Sequence, residues 1–99
     1  MNDIIITTTI GIEGKKIVQY LDIISAEVIE VGDLGAQVYD VADGYQKLLE
    51  RIKKNAFVRL RKKAHELGAN AIIGVDLDYS DLRGTMVMLV VNGTAVKVE

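Results

Sequence analysis

Gly68-Ala69-Asn70-Ala71-Ile72-Ile73-Gly74-Val75-Asp76-Leu77-Asp78-Tyr79 decides how this chain of 99 residues is read. Leu67-Gly68 is a helix stop signal, because a glycine just past the last apolar helical position can take the left-handed conformation and let the chain turn. From Ala69 the pattern changes to period two, which predicts a strand. Ala71, Ile73, Val75, Leu77 and Tyr79 fall on one face, suited to packing against a helix. Asn70, Ile72, Gly74, Asp76 and Asp78 fall on the other, which is small and acidic. Gly74 inside a strand marks a close approach of another chain segment.

Upstream of that turn lies the clearest element. Tyr45, Leu48, Leu49, Ile52, Ala56, Leu60, Ala64 and Leu67 recur at spacings of three and four, which predicts one long helix with Phe57 at the stripe's edge. At ~1.5 Å per residue it spans roughly 34 Å. Asp43 is a candidate cap and Gly44 a candidate kink just before it. Leu34, Val38, Val41 and Ala42 fit a weaker helical stripe, with Asp33 as its candidate cap. Downstream, Ser80 to Gly84 has the length of a hairpin loop. Thr85 to Val91 predicts a further strand, with Met86, Met88 and Val90 on one face and Val87, Leu89 and Val91 on the other. Asn92-Gly93 is a tight-turn signal, for a hairpin with Thr94 to Val98 or for a bulge that redirects the same strand.

Before the helix, Ile4 to Thr9 is a short β-prone run and Ile10 to Gly14 a turn. Lys15 to Val31 is a long β-prone stretch with apolar residues on both parities, so both faces are expected to be at least partly buried. Asp22 and Ser25-Ala26 are candidate bulges. The resulting fold class is α+β. It is a β-α-β-β two-layer subunit, a three-stranded antiparallel sheet on one long helix, with short extra terminal strands.

Composition narrows the function classes. Ninety-nine residues form one domain, 1–99, with limited core volume. There is no cysteine, which excludes disulfides and thiolate metal sites. No long apolar run or signal-peptide pattern occurs, so a cytoplasmic, non-membrane protein is expected. The apolar fraction of 49% is high for so short a chain, and burial against copies of itself explains it most simply. Charge is segregated. Tyr45 to Leu67 holds eight basic and two acidic residues, so the helix is +6 and the remainder −8.

The residues Thr8-Thr9, Glu13-Gly14, Ile17-Val18, Tyr20, Ile23 and Glu27, then Leu67 to Tyr79, Met86-Val87-Met88 and Gly93 to Val96, resemble the YbjQ-like family of small bacterial and archaeal proteins. That family is labelled for heavy-metal binding. The resemblance implies a dodecin-like β-α-β-β subunit that assembles into a ring-shaped homopentamer, with terminal strands adding to neighbours. Asp22 and Ala26 stand where the family usually has glycine. The connection over Val31 to Gly44 is shorter than the family's and lacks its Gly-Gly-Arg-Ser-Gly segment.

Candidate chemistry is sparse. Asp76 and Asp78 share a strand face roughly 6.5–7 Å apart. With Glu27, Glu13 or Asn70 from nearby segments or a neighbouring subunit they could hold a divalent metal ion through oxygen. Asp76, Asp78 and Glu27 are therefore the candidate metal ligands, set against the plainer reading of a solvated strand face. His65, the single histidine, stands among Arg61, Lys62 and Lys63, whose charges disfavour a metal. Met86 and Met88 suit core or interface packing better than a thioether site. The basic helix face (Lys47, Arg51, Lys53, Lys54, Arg59, Arg61, Lys62, Lys63) offers an alternative role at phosphate backbones. The acidic total and the lack of interleaved aromatics argue against nucleic acid. No nucleophile–base arrangement appears, so the chain is expected not to be an enzyme, with an inter-subunit catalytic cleft as the remaining alternative. A homo-oligomer, a pentamer by resemblance, that binds a metal ion or small ligand at its subunit interfaces is the function expected.

Overall fold

A computed structural model describes residues 3–31, 41–83 and 86–99. The elements are β1 (Ile5–Ile6), β2 (Ile17–Val31), α1 (Val41–Glu66), β3 (Ala71–Arg83) and β4 (Met86–Val98). They form a four-stranded mixed sheet in the order β1-β3-β4-β2, covered on one face by α1. β4 pairs antiparallel with both β2 and β3, and β1 adds to β3 in parallel. The short N-terminal strand thus joins its own subunit's sheet.

The helix forms where the three-and-four spacing places it, and it begins earlier than the stripe implies. Asp43 and Gly44 lie inside its first turn, so they are neither cap nor kink. Of the candidate first helix, Asp33, Leu34 and Val38 lie outside the described residues, while Val41 and Ala42 belong to α1. Leu48, Ile52, Ala56, Leu60 and Ala64 are buried along one face. Each fully buried Leu or Ile contributes about 1.5–3 kcal/mol, and the alanines let the helix sit close to β2 and β4. At its end the Ala69 amide donates to the Ala64 carbonyl (3.0 Å) and the Gly68 amide to the His65 carbonyl (3.0 Å). Gly68 has φ 80°. This is the Schellman closure that the glycine announced.

The strand that follows departs from simple alternation. Its register with β4 slips between Ile73 and Asp76, so β3 carries one extra residue there. Gly74, at φ 60°, supplies the left-handed conformation that such a bulge uses. One extra residue reverses the parity. Ile72 therefore faces the helix with Val75 and Leu77, while Ala71 and Ile73 face the other way. The expected single face of Ala71, Ile73, Val75, Leu77 and Tyr79 is thereby split in two, and Tyr79 is partly exposed. The N-terminal segment follows the bulge, with Gly74 N–H donating to the Thr9 carbonyl (2.8 Å) and Val75 N–H to the Thr7 carbonyl (3.1 Å).

Two turn signals fall within strands, with Gly84 outside the described residues. β3 continues through Ser80, Asp81 and Leu82 to Arg83. β4 runs unbroken through Asn92-Gly93, because Gly93 there fits under the β3 bulge rather than making a hairpin. β2 has register shifts between Ile17 and Gln19 and between Tyr20 and Asp22, so the bulge expected near Asp22 is present and none occurs at Ser25-Ala26.

The core is correspondingly double. The larger part lies between α1 and the sheet, where Ile24, Ala26 and Val28 of β2 meet Val87, Leu89 and Val91 of β4. A smaller part lies on the opposite face, where Ala71, Ile73, Val96 and Val98 are covered by Ile12 and Ile17. Beyond that cover the second sheet face is open. On β2, Ile23, Ile29 and Val31 are 78%, 56% and 63% exposed. The alternation read for β4 holds, with Val87, Leu89 and Val91 buried and Met86, Met88 and Val90 half-buried on the open side.

Candidate functional site

The open sheet face is where the predicted ligands come to lie. Past the bulge, Asp76 and Asp78 alternate with the inward Val75 and Leu77, so both carboxylates project from the open face and both residues are exposed. Asp76 pairs with Asn92, which pairs in turn with Ser25 of β2. Asp78 pairs with Val90, which pairs with Glu27. The three candidate ligands thus share one face in two adjacent cross-sheet rows. Glu27 is two strand spacings from Asp78, roughly 9–10 Å of backbone separation, with Val90 between them. A hard cation needs its oxygens at about 2.3–2.6 Å, so the fold brings Asp76 and Asp78 together and leaves Glu27 apart. Among the described residues no group of three or more His, Cys, Asp or Glu is placed to hold a metal ion.

The other candidates are dispersed. Asn70 is spent on structure. Its Nδ2 donates to the Val98 carbonyl (2.9 Å) and its Oδ1 accepts from the Val98 amide (2.8 Å), as a strand neighbour's backbone would. Glu13 is exposed in the loop before β2, and His65 is exposed in the last turn of α1. Met88 lies between Ile29 and Ser80 on the open face, and Met86 pairs with Val31.

The basic helix face divides along its two flanks. On the β2 side, Arg59 Nη1 donates to the Glu27 carbonyl (2.6 Å) and Lys63 Nζ to the Ser25 carbonyl. Arg51 Nε pairs with the Glu30 carboxylate at 3.2 Å. Three of the eight cations therefore fasten α1 to the outer edge of β2, where the strand has no sheet neighbour among the described residues. Backbone carbonyls give no sequence signal, so only Arg51–Glu30 had a charge pattern that could reveal it. On the other flank Lys53 Nζ stands 5.9 Å from the centre of the Phe57 ring, a cation–π distance. Arg61 lies beside that ring with its Nε buried and without a hydrogen-bond partner among the described residues.

The sequence also gave no sign of Tyr45 as part of a polar contact. Its hydroxyl donates to Asp81 Oδ1 at 2.9 Å, 36 residues away. The hydrogen bond to Asp81 is the main cause that raises the Tyr45 pKa above its ordinary 10.0, with desolvation and the carboxylate's charge adding to it. A shallow cleft of about 270 Å³ opens beside the pair, lined by Tyr45, Leu49, Tyr79, Ser80, Asp81 and Val87.

Comparison with known proteins gives a consistent picture. A family profile named YbjQ and described as "Putative heavy-metal-binding" matches residues 4–99. A "UPF0145 protein" of Bacillus cereus strain ATCC 14579 is 43% identical over 102 residues, covering 95% of this chain and 99% of the relative. One from Anoxybacillus flavithermus is 45% identical over 103 residues, covering 96% and 98%. The crystal structure of a Pediococcus pentosaceus protein of unknown function from the DUF74 family superposes with a TM-score of 0.73. It is 21% identical and covers 97% of this chain and 98% of that one, a likeness of fold.

Proposed function

The chain belongs to the YbjQ-like family, and from that premise we propose that it works as a non-enzymatic homo-oligomer, a ring of five by resemblance, that holds a divalent cation or small ligand where subunits meet. The open sheet face carries the proposal. Ile29 and Val31 are largely exposed there beside their strand neighbours Met88 and Met86, an adjoining apolar patch on a small chain, and Ile23 is exposed further along the same face beyond Ser25 and Glu27. Such a surface is costly in water and ordinary at an interface between copies. Native mass spectrometry of untagged protein tests it, with a single species at five chain masses as the expected result. Ile29→Glu places a charge in the interface and is expected to give monomers. A wild-type monomer at micromolar concentration would overturn the proposal.

The donor set narrows the ligand. With no cysteine in the sequence and the one histidine exposed on α1, these residues do not make the soft site that a thiophilic heavy metal prefers. Asp76 and Asp78 instead offer hard oxygen donors. Two carboxylates are a fraction of the six to eight oxygens a calcium ion takes, so the remainder would come from a neighbouring copy. Thermal stabilisation by Ca²⁺ or Mn²⁺ in the wild type, absent in Asp76→Asn/Asp78→Asn, is expected. No stabilisation of the wild type by any divalent cation would refute the metal role and leave the oligomer standing.

A further inference from the structure

A groove of about 260 Å³ runs between α1 and the N-terminal segment, away from the open sheet face. Its floor is apolar, made by Ile6, Phe57, Val75 and Leu77. Lys53 and Arg61 stand one helical turn to either side of Phe57, and Thr7 and Thr8 form the facing wall. Among the described residues no carboxylate lines this groove; Glu50 lines an adjacent hollow together with Lys53, Lys54, Phe57 and Arg61.

Arg61 sets the chemistry. Its Nε is the one buried side-chain nitrogen or oxygen without a hydrogen-bond partner among the described residues. A guanidinium N–H removed from water and left unpaired is costly, and such groups in native proteins call for a missing partner. The other cations on the helix's opposite flank have theirs: Arg59 and Lys63 hold carbonyls, and Arg51 holds Glu30. Thr7 Oγ1 is engaged with Thr9 Oγ1 at 2.8 Å, which leaves the Thr8 hydroxyl as a further donor at the wall.

We propose that this groove binds a small amphipathic anion, a carboxylate with a short apolar tail, with its headgroup on Arg61 and its tail over Phe57, Val75 and Leu77. A guanidinium meets a carboxylate in a matching planar geometry. The apolar floor discriminates against a bare inorganic anion, and the volume lies below the ~300–1,000 Å³ of sites for drug-sized ligands. This site lies within one subunit and does not depend on Asp76, Asp78 or the oligomer interface.

The test is isothermal titration of the oligomer as purified with octanoate, acetate and inorganic phosphate, together with amide chemical-shift mapping. Octanoate is expected to bind and to shift Thr8, Phe57 and Leu77, with acetate and phosphate at least tenfold weaker. Arg61→Met is expected to weaken octanoate about ten- to a hundredfold, the effect of losing a charged hydrogen bond, and Arg61→Lys to recover part of it. Asp76→Asn/Asp78→Asn should leave octanoate binding unchanged, which separates this site from the cation site. Lys53→Met and the wild-type shift map keep the test decisive if Arg61→Met does not fold. Phosphate binding as tightly as octanoate, or shifts confined to other residues, would overturn the assignment. No octanoate binding by wild type, with Arg61→Met changing the oligomer's mass, would also overturn it and assign the groove to a second copy of the chain.

Discussion

Gly93 of β4 faces Val75 of β3 across the bulge with no room for a side chain. A Cβ on Gly93 would stand 2.9 Å from Val75 Cγ2 and 2.8 Å from Ile72 Cγ2. Both neighbours are buried β-branched residues with stiff rotamers. Gly93→Ala is therefore expected to cost about 1–3 kcal/mol, the range for overpacking a core. Gly74→Ala meets no neighbour but forces an alanine to φ 60°, at about 1–2 kcal/mol, and Gly74→Asn should be milder because asparagine tolerates that region. Urea denaturation at fixed protein concentration checks the series, and a Gly93→Ala protein as stable as wild type would refute the close approach.

The same bulge shows what was legible in the sequence and what was not. Gly68 announced its turn because a helix end needs a residue that tolerates positive φ. Met86 to Val91 announced two faces because β4 has no bulge there. Gly74 signalled an irregularity, but a bulge and a close approach both favour glycine, so the parity change at Ile72 and Val75 stayed hidden. Asp76 and Asp78 were correctly placed on one face because both follow the bulge. Glu27 required the register through Val90, which belongs to tertiary pairing. The grips of Arg59 and Lys63 on β2, and of Asn70 on Val98, join residues 28 to 38 positions apart through backbone groups that every residue carries.

Asn70 ties the end of the helix turn to the C-terminal strand. Its two hydrogen bonds to Val98 continue the β3–β4 ladder by one residue, beside the Asn70 amide's bond to the Val96 carbonyl. Asn70→Ala is expected to lose roughly 1–3 kcal/mol, at about 0.5–1.5 kcal/mol for each of the two hydrogen bonds. Asn70→Asp keeps the acceptor for Val98 N–H but sets a carboxylate oxygen against the Val98 carbonyl, so it should cost at least as much as Asn70→Ala. Hydrogen exchange at the Val98 amide reports the contact directly, and unchanged protection in Asn70→Ala would contradict it.

Tyr45 and Asp81 give the fold a pH-dependent contact. The hydroxyl's pKa is raised in the folded chain, chiefly by its hydrogen bond to the Asp81 carboxylate. The stability linked to this tyrosine is fully present below its unfolded value of 10.0 and is lost as pH rises through the raised folded value. Absorbance titration of tyrosinate, with Tyr45→Phe subtracted to isolate this one of the four tyrosines, should show a late-titrating group in wild type. In Asp81→Asn that group should titrate earlier. An unchanged titration in Asp81→Asn would remove the carboxylate as the cause.

The carbonyls of Ser25 and Glu27 on the edge strand β2 are each held by a cation from α1. An unpaired strand edge is a template for further strands, and lysine or arginine laid against it blocks that growth. These bonds lie at exposed positions, so their worth to the subunit's own stability is modest, about 1 kcal/mol or less each after solvent screening. Their larger effect is expected on association. Arg59→Ala/Lys63→Ala should keep a melting temperature within a few degrees of wild type, while light scattering and size-exclusion chromatography show growth beyond the wild-type oligomer. Raised salt should move the wild type in the same direction, because it screens the charged donors. A double variant with the same assembly size as wild type at all concentrations would show that the caps fix the helix against β2 and do not guard its edge.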